Sequence, residues 1–325
     1  MAVSAPIVQA AIVQARPVPL DIDAGAKAAV GHIEAALDTG ARVIAFGETF
    51  LGGYPIWLDE APGVALWDHP GAKALHAILL RQAIVADDKR LAPIQALCDK
   101  AGAVVSIGAH ERVRNSLYNT LFIFSAHAPP LVHRKLVPTH GERLIWARGD
   151  GSTLGVAETA VGRVGGLICW EHWMPLARAA MHHQTETIHI AQWPTVRETY
   201  LMASRHYAFE GRCFVLAAGT VLWRDDLLAG LESAGHDTAA RELLATLPAG
   251  QLQAGASAII GPDATLLANA GAGEEVLTAR LDIARLHEEL AALDTDGHYA
   301  RPDVFELHVD TRPREGVNFR PDGLK

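Results

Sequence analysis

The sequence predicts a layered α/β protein, and three observations support this class. Apolar segments of strand length alternate with segments of helical periodicity along most of the chain. Several strand segments, such as residues 43–46, are apolar at every position, which is typical of strands covered on both faces. Hydrophobic residues make up 50% of the 325 residues and charged residues 20%, so the chain can bury a large core.

The predicted elements follow in chain order, each an apolar or periodic run bounded by turn residues. Strands are predicted at residues 7–13, 43–46, 103–109, 119–124, 164–168, 187–191, 214–218 and 258–260. Helices are predicted at residues 24–37, 72–85, 89–100, 175–183 and 198–210.

No repeat or low-complexity tract divides the chain, so we expect one domain over residues 1–310 and a C-terminal tail over 311–325. The stretch 247–255, which contains Pro and Gly, is the best candidate for a boundary, but we expect it to join elements of one domain. Gly271-Ala272-Gly273 lacks the third glycine of a dinucleotide fingerprint and is interpreted as a loop or hairpin.

Composition disfavours several classes of partner. The net charge of -9 is spread without long acidic or basic runs, which argues against nucleic acid and anionic membranes. No apolar run is long enough for a membrane span, and residues 1–13 lack the pattern of a secretory signal. The 3 cysteines, Cys98, Cys169 and Cys213, are widely separated and do not form a disulfide framework. We therefore expect a cytoplasmic protein with free thiols that binds a small molecule.

Chemistry is expected where reactive or charged residues directly follow apolar strand segments, at Glu48, Lys135 and Cys169. A nucleophilic thiol needs a base to take its proton and a cation to stabilise the charge that develops on the substrate. Taken singly, each residue has an ordinary alternative, since a Cys after an apolar strand is commonly an inert buried residue. The segment Trp170-Glu171-His172 is too polar and aromatic for that alternative.

Three motifs carry a resemblance to a known family. The segment GGLICWEH from Gly165 to His172 resembles the nucleophile motif of the nitrilase superfamily, specifically of its true nitrilase branch. The segment HRKLVPTHGER, with Lys135 as its third residue, resembles the lysine motif, and it continues with Trp146 and with GDGS at residues 149–152. The segment ETFLGGYP, which begins at Glu48, is similar to the glutamate motif.

The resemblance covers residues 7–311 and implies a fold and an assembly. The fold would be the four-layer α-β-β-α sandwich of the nitrilase (carbon-nitrogen hydrolase) type. The chain would form a homodimer or a larger spiral homo-oligomer. One residue departs from the family pattern, because Gly47 stands where the family commonly has proline, and we expect this glycine to free the backbone before Glu48.

Carried over residue by residue, the resemblance assigns Cys169 as nucleophile, Glu48 as general base and Lys135 as the electrostatic stabiliser. Glu142 would be a second carboxylate that orients Lys135 or the substrate. No cofactor and no metal would be required. Histidines at 172, 182, 183 and 189 are numerous, but they lack the spacing of a zinc site and are interpreted as structural or surface residues.

Aromatic residues in or beside the motifs are candidates for binding the substrate, with ordinary core packing as an equally good alternative. These candidates, with His172 added, are Tyr54, Trp57, Trp146, Trp170, His172 and Trp193.

The implied function is hydrolysis of an organic nitrile to the carboxylic acid and ammonia, through a thioimidate and a thioester on Cys169. The alternatives are an amidase or carbamoyl hydrolase of the same superfamily, and a cyanide-degrading enzyme. A catalytically silent binding or scaffold protein on this fold is a fourth alternative. It is disfavoured because an inactive relative has little reason to keep Cys169, Lys135 and Glu48 together.

Overall fold

The structure is a computed structural model that describes residues 7–314. Most of the predicted tail, residues 315–325, and the first six residues of the segment searched for a secretory signal lie outside the described residues. No helix within the described range is long and apolar enough to cross a membrane.

Strands and helices alternate over residues 7–113 and again over 162–218, whereas the five strands between residues 104 and 168 follow one another without an intervening α-helix. The strands are β1 (Ile7–Gln14), β2 (Val43–Phe46), β3 (Val104–Val113), β4 (Ser116–Ser125), β5 (Ala128–Arg134), β6 (Val156–Thr159), β7 (Gly162–Ile168), β8 (Ile188–Gln192), β9 (Phe214–Ala218), β10 (Val221–Trp223), β11 (Gln251–Ala254), β12 (Ala258–Ile260), β13 (Leu266–Asn269) and β14 (Glu275–Asp282). The α-helices are α1 (Ile22–Asp38), α2 (Trp57–Glu60), α3 (Pro70–Gln82), α4 (Ala92–Ala101), α5 (Pro175–His182), α6 (Glu198–Gly211), α7 (Arg224–Ala234), α8 (Thr238–Ala245) and α9 (Ala284–Glu289).

Two six-stranded sheets of similar design form the centre of the molecule. The first has the order β14-β1-β2-β3-β4-β5, and the second has the order β13-β12-β9-β8-β7-β6. In each sheet three central strands are parallel, β1-β2-β3 in the first and β7-β8-β9 in the second, and the flanking strands pair antiparallel. The sheets face each other, with β4 packed on β7 and β1 packed on β9.

The alternation of side chains along β1 explains why its residues 10–13 are all apolar. Ala10 and Ile12 belong to the core between the two sheets, whereas Ala11 and Val13 belong to the core under the outer helices. Successive residues of a strand point to opposite faces, so a stretch of strand that is covered on both faces is apolar at consecutive positions.

Helices cover the outer face of each sheet. Residues of α1 and α4 pack with those of β1, β2 and β3 in the core of the first sheet. On the second sheet, α6 packs against β9 and β12, and α5 lies beside the turn that follows β7. The layers are therefore helix, sheet, sheet and helix, which confirms the predicted four-layer fold.

Several boundaries differ from the prediction for local reasons. The helix predicted at 72–85 ends at Gln82 because Ala83 is extended, with ψ 147°. The helix predicted at 89–100 starts with a 3-10 turn before Pro93 and becomes α-helical at Ala92. The stretch 247–255, considered above as a candidate boundary, contains β11. This strand pairs with β10, so the stretch is part of a two-stranded ribbon.

The strands that the sequence did not predict are short or lie at sheet edges. β5, β6 and β13 are edge or outer strands with many partly exposed residues, and β5 contains Pro129 and Pro130. Edge strands tolerate proline and polar residues, so they lack the continuous apolar run that identified the central strands. The glycine-containing segment at 271–273 is a bend between β13 and β14, in agreement with the loop interpretation.

Candidate active site

The three candidate catalytic residues follow strands that end at one side of the sandwich. Glu48 comes two residues after β2 and Lys135 directly follows β5, and both strands run in the same direction in the first sheet. Cys169 directly follows β7 in the second sheet. Because the two sheets pack face to face, these strand ends bring the three side chains together between them.

Lys135 lies between two carboxylates. Its Nζ donates to Glu48 Oε1 at 2.8 Å and to Glu142 Oε1 and Oε2 at 2.9 and 2.7 Å. Asn119 Nδ2 donates to Glu48 Oε1 at 2.6 Å, and the Tyr54 hydroxyl donates to Glu142 Oε1 at 3.0 Å. The relative exposures are 0% for Glu48, 1% for Lys135 and 2% for Glu142. The cluster is therefore an ordered ionic group inside the protein.

The thiol of Cys169 lies beside this group. The sulfur and one oxygen of each of Glu48 and Glu142 lie within 4.8 Å of one another. Cys169 has φ 54°, in the left-handed region, and the backbone N–H of Trp170 lowers the pKa of its thiol, an effect smaller than the opposing effects of burial and Glu48. A non-glycine residue with positive φ costs about 1–2 kcal/mol, so surrounding contacts must hold the nucleophile in this conformation.

The protonation of the cluster follows from its burial and charges. Burial raises the pKa of Glu48 to about 7, a shift that Lys135 opposes and Glu142 reinforces. Burial alone would lower the pKa of Lys135, but the negative charges of Cys169, Glu48 and Glu142 raise it well above its usual value. Burial and then Glu48 raise the pKa of the Cys169 thiol well above its usual value. The resting site thus holds a thiol, an ammonium and a carboxylate that can take a proton near neutral pH.

The same cluster has the spacing of a metal site. Glu48, Glu142 and Cys169 form the one group in the described part of the chain whose donor atoms are close enough to share an ion. The Lys135 ammonium already bonds to both carboxylates, so it supplies the cation at this point. None of the four histidines considered from the sequence belongs to this group.

The family model for carbon-nitrogen hydrolases matches residues 9–288. The chain belongs to this family. A nitrilase of Bradyrhizobium diazoefficiens is 39% identical over 313 residues, which are 95% of this chain and 94% of the relative. An aliphatic nitrilase of Sinorhizobium fredii is 36% identical, with coverage of 96% and 98%.

Solved structures agree with the fold. A carbon-nitrogen hydrolase of Helicobacter pylori G27 superposes with a TM-score of 0.62 at 19% identity, over 93% of this chain and 99% of the other. Nit3 of Saccharomyces cerevisiae, a member of branch 10 of the nitrilase superfamily, gives 0.65 at 17% identity, over 91% and 97%. The family predicted from the three motifs is confirmed.

Glu171 connects the nucleophile of this carbon-nitrogen hydrolase to the lysine loop. Its carboxylate accepts from the backbone N–H groups of Ile168 and Leu136, both at 2.7 Å, and from His133 Nε2 at 2.9 Å. Ile168 directly precedes Cys169, and Leu136 directly follows Lys135. From the sequence, Glu171 was identified only as one of the polar residues that follow Cys169, and its contacts with the backbone and with His133 are visible only in the structure.

Gly47 is required by close packing, which corrects the expectation that it frees the backbone. A Cβ at this position would lie 2.7 Å from Thr220 Cγ2 and 3.0 Å from the backbone oxygen of Trp193, and Gly47 does not have positive φ. The left-handed residue is instead Thr49, with φ 46°.

A cavity of about 270 Å³ opens above Cys169. Of the aromatic candidates, Tyr54 and Trp170 line it. Further lining residues, not identified from the sequence, are Ile56, Asp59, Glu60, Thr139, His140, Pro194, Thr195, Arg197, Tyr200 and Gln253. They come from loops of both halves of the chain, so no single motif marks them.

The other four binding candidates do not line this cavity. Trp57 is buried in the cluster formed with α3 and α8, and Trp193 is buried beneath α6, where its Nε1 donates to Ser204. Trp146 lies with its ring 5.9 Å from Lys135 Nζ, and His172 lies behind the nucleophile. For these four residues the structure favours core packing over substrate binding.

The remaining cysteines lie away from the catalytic cluster. Burial raises the pKa of Cys98 to about 12 and that of Cys213 well above its usual value. Both are free thiols in the hydrophobic cores.

Proposed function

We propose that this chain is a nitrilase that hydrolyses a small organic nitrile to the carboxylic acid and ammonia. The observation that carries the proposal is the buried group of Cys169, Lys135, Glu48 and Glu142 at the base of a small cavity. The relatives with 34–39% identity that bear the name nitrilase support the choice of nitrile as substrate.

The first step forms a carbon–sulfur bond. Within the described residues Glu48 Oε2 has no hydrogen-bond partner, so this oxygen is free to accept the Cys169 proton as sulfur attacks the nitrile carbon. Negative charge develops on the nitrile nitrogen, where Lys135 donates a hydrogen bond. Glu48 then returns the proton to this nitrogen, which gives a neutral thioimidate on Cys169.

Two water molecules complete the reaction. The first adds to the thioimidate carbon, with Glu48 moving its proton to nitrogen, and ammonia leaves to give a thioester. The second water attacks the thioester, the acid leaves, and the sulfur regains a proton. Because the pKa of Glu48 is about 7, the same group can act as base and as acid near neutral pH.

Glu142 is a positioning residue in this mechanism. Both of its oxygens bond to Lys135, and it is held in turn by the Tyr54 hydroxyl and by the backbone N–H of Thr139 at 2.7 Å. Lys135 therefore remains a protonated donor in a fixed position, and it does not compete with Glu48 for the role of base.

The cavity favours a substrate with a small side group. Its volume of about 270 Å³ is below the usual range of sites for drug-sized ligands. Tyr54, Ile56, Pro194 and Tyr200 provide apolar surface in its lining. Asp59, Glu60 and Arg197 add charged surface, so the lining is mixed, and from the volume we infer that the substrate carries a compact group.

Matched rates on one nitrile and its amide test the proposal. We expect acid and ammonia from the nitrile, with a minor amide by-product, and slower turnover of the amide, since a planar amide fits a site for a linear nitrile poorly. Cys169→Ala protein, prepared in parallel, is the control for contaminating hydrolases. Faster turnover of the amide would assign the chain to the amidases instead.

We also propose that the active form is a homo-oligomer, at least a dimer, in which a second copy covers the apolar face formed by α5, α6 and the turn at residues 169–173. The exposed residues of this face are Trp170, Trp173, Leu176, Met202 and Phe209. Such a concentration of exposed apolar side chains is typical of interaction surfaces.

Native mass measurement tests this assembly. The parent protein should have the mass of a dimer or a multiple of it, and Leu176→Asp should shift it toward the monomer. Leu66→Asp, at an exposed leucine outside this face, is the control and should leave the mass unchanged. A fully active parent monomer would contradict the proposal.

A cytoplasmic location is supported by the free, buried state of the three cysteines, because a reducing compartment preserves thiols. Fractionation of the source cells should recover the nitrile-hydrolysing activity with cytoplasmic markers. Recovery with an extracellular marker would contradict this location.

A further inference from the structure

A row of four buried side chains runs from the nucleophile into the second sheet. His172 Nδ1 lies 2.7 Å from the carbonyl oxygen of Cys169, and His172 Nε2 lies 3.0 Å from His189 Nε2. His189 Nδ1 lies 2.8 Å from Glu186 Oε1, and the Tyr207 hydroxyl donates to Glu186 Oε2 at 2.5 Å. All four side chains are buried, and none has a role in the mechanism above.

The hydrogen bonds assign the protons along this row. A carbonyl can only accept, so His172 Nδ1 donates to Cys169. Burial and the neighbouring His189 lower the pKa of His172 well below its usual value, so His172 is neutral and its Nε2 accepts from His189. Burial alone would raise the pKa of Glu186, but His189 and Tyr207 lower it, so Glu186 is a carboxylate. His189 then donates from both nitrogens and carries a positive charge.

The row ends on the peptide group between Cys169 and Trp170. Its carbonyl accepts from His172, and its N–H, which belongs to Trp170, is one of the groups that lower the pKa of the Cys169 thiol. A peptide group is planar, so a contact that fixes the carbonyl also fixes the direction of the N–H. A donor on the carbonyl also polarises the peptide and strengthens its N–H as a donor.

We propose that His189 and Glu186 are positioning residues for the nucleophile, acting through His172 on the peptide between Cys169 and Trp170. Their charged hydrogen bonds keep this peptide oriented and support the left-handed conformation of Cys169. The inference rests on the proposed thiol chemistry of Cys169. It adds two side chains that do not touch the substrate cavity.

Glu186→Gln tests the charge of the row at nearly constant volume. The glutamine amide can still bond to His189 and Tyr207, but a neutral partner no longer stabilises a charged His189. Glu210→Gln is the matched control, because Glu210 is a partly buried carboxylate on α6, near the row, that bonds to Arg178 and His182 and lies outside the row.

Two measurements are made on both variants and on the parent protein. The first is kcat and KM on one nitrile. We expect Glu186→Gln to lower kcat on the order of tenfold, as when a hydrogen bond to a charged group becomes a neutral one, with little change in KM. The second is the rate of alkylation of Cys169 by iodoacetamide against pH, which does not depend on nitrile turnover. We expect slower alkylation at each pH and a midpoint shifted to higher pH.

Other charges also act on the thiol and on the row. Cys169 is faced by Glu48, Lys135 and Glu142, and the row is faced by Arg178, His182, Glu210 and Cys213. The comparison with Glu210→Gln separates the effect of the row from that of this surrounding field.

The proposal is overturned if Glu186→Gln matches the parent within twofold in both kcat and alkylation, or if Glu210→Gln loses as much. Should Glu186→Gln fail to fold, Tyr207→Phe replaces it, since it removes one donor to Glu186 and should give a smaller loss in the same direction. No loss in Tyr207→Phe would then overturn the proposal. Slow alkylation in a protein without nitrile turnover would refute the proposed function and leave the role of the row intact.

Discussion

Glu171→Gln is the substitution whose effect on stability follows most directly from the structure. The carboxylate of Glu171 is 1% exposed and accepts from two backbone N–H groups and from His133. In glutamine one oxygen becomes an NH2 group, which cannot accept from the facing N–H of Ile168 or Leu136. Breaking a buried ion pair on one side typically costs about 3–5 kcal/mol. With about 2 °C per kcal/mol for large domains, the unfolding midpoint should fall by roughly 6–10 °C.

The pH dependence of this difference also has a definite sign. Burial alone would lower the pKa of His133, but Glu171 raises it, so the stabilisation by His133 is lost as pH rises through that raised pKa. Burial alone would raise the pKa of Glu171, but His133 and the two backbone donors lower it, so its stabilisation is lost as pH falls through that lowered pKa. The difference between parent and variant should be largest between the two values, in mildly acidic solution.

Thermal unfolding followed by circular dichroism, at one scan rate and at several pH values, measures the effect. Asp68→Asn is the control, because Asp68 pairs with Lys73 on the surface, where a salt bridge contributes little. A midpoint for Glu171→Gln within 2 °C of the parent at every pH would refute the reasoning.

Three further predictions concern catalysis. Cys169→Ala should abolish nitrile turnover and leave the fold intact, whereas Cys98→Ser and Cys213→Ser should retain nitrile turnover. Turnover by Cys169→Ala above the host background would contradict the mechanism. Lys135→Met should lower kcat/KM by about a hundredfold or more, as loss of one transition-state donor does, while chelators should have no effect; inhibition by a chelator that added zinc reverses would support a metal instead. Because Glu48 must be a carboxylate to accept the thiol proton, kcat/KM should fall as pH drops below about 7, and a profile flat down to pH 5 would exclude Glu48 as the base.

Parts of the fold could be predicted from the sequence because burial leaves a direct record in residue type. The central strands β2, β9 and β12 have the predicted limits, since strands covered on both faces must be apolar at each position. β6, β10, β11 and β13 were not predicted, because edge strands and two-stranded ribbons are partly exposed and their sequences are mixed.

The candidate catalytic residues could be located from the sequence for a different reason. Glu48, Lys135 and Cys169 each follow a strand, and the three motifs around them together, rather than any one residue type, mark these positions. Glu142 was identified by its motif alone, and the structure places its carboxylate on Lys135.

The tertiary structure alone decided which residues surround this group. The cavity is lined by loops from distant parts of the chain, such as Ile56, Thr195 and Gln253, which no local pattern joins. Some of the aromatic candidates line the cavity and others lie in the hydrophobic core, because the direction of each side chain depends on how the helices pack. The row from His172 to Tyr207 depends on β8 and α6 meeting behind the nucleophile. Sequence determines which groups are available and which faces must be buried, whereas distances between groups far apart in the chain are set only when the layers pack.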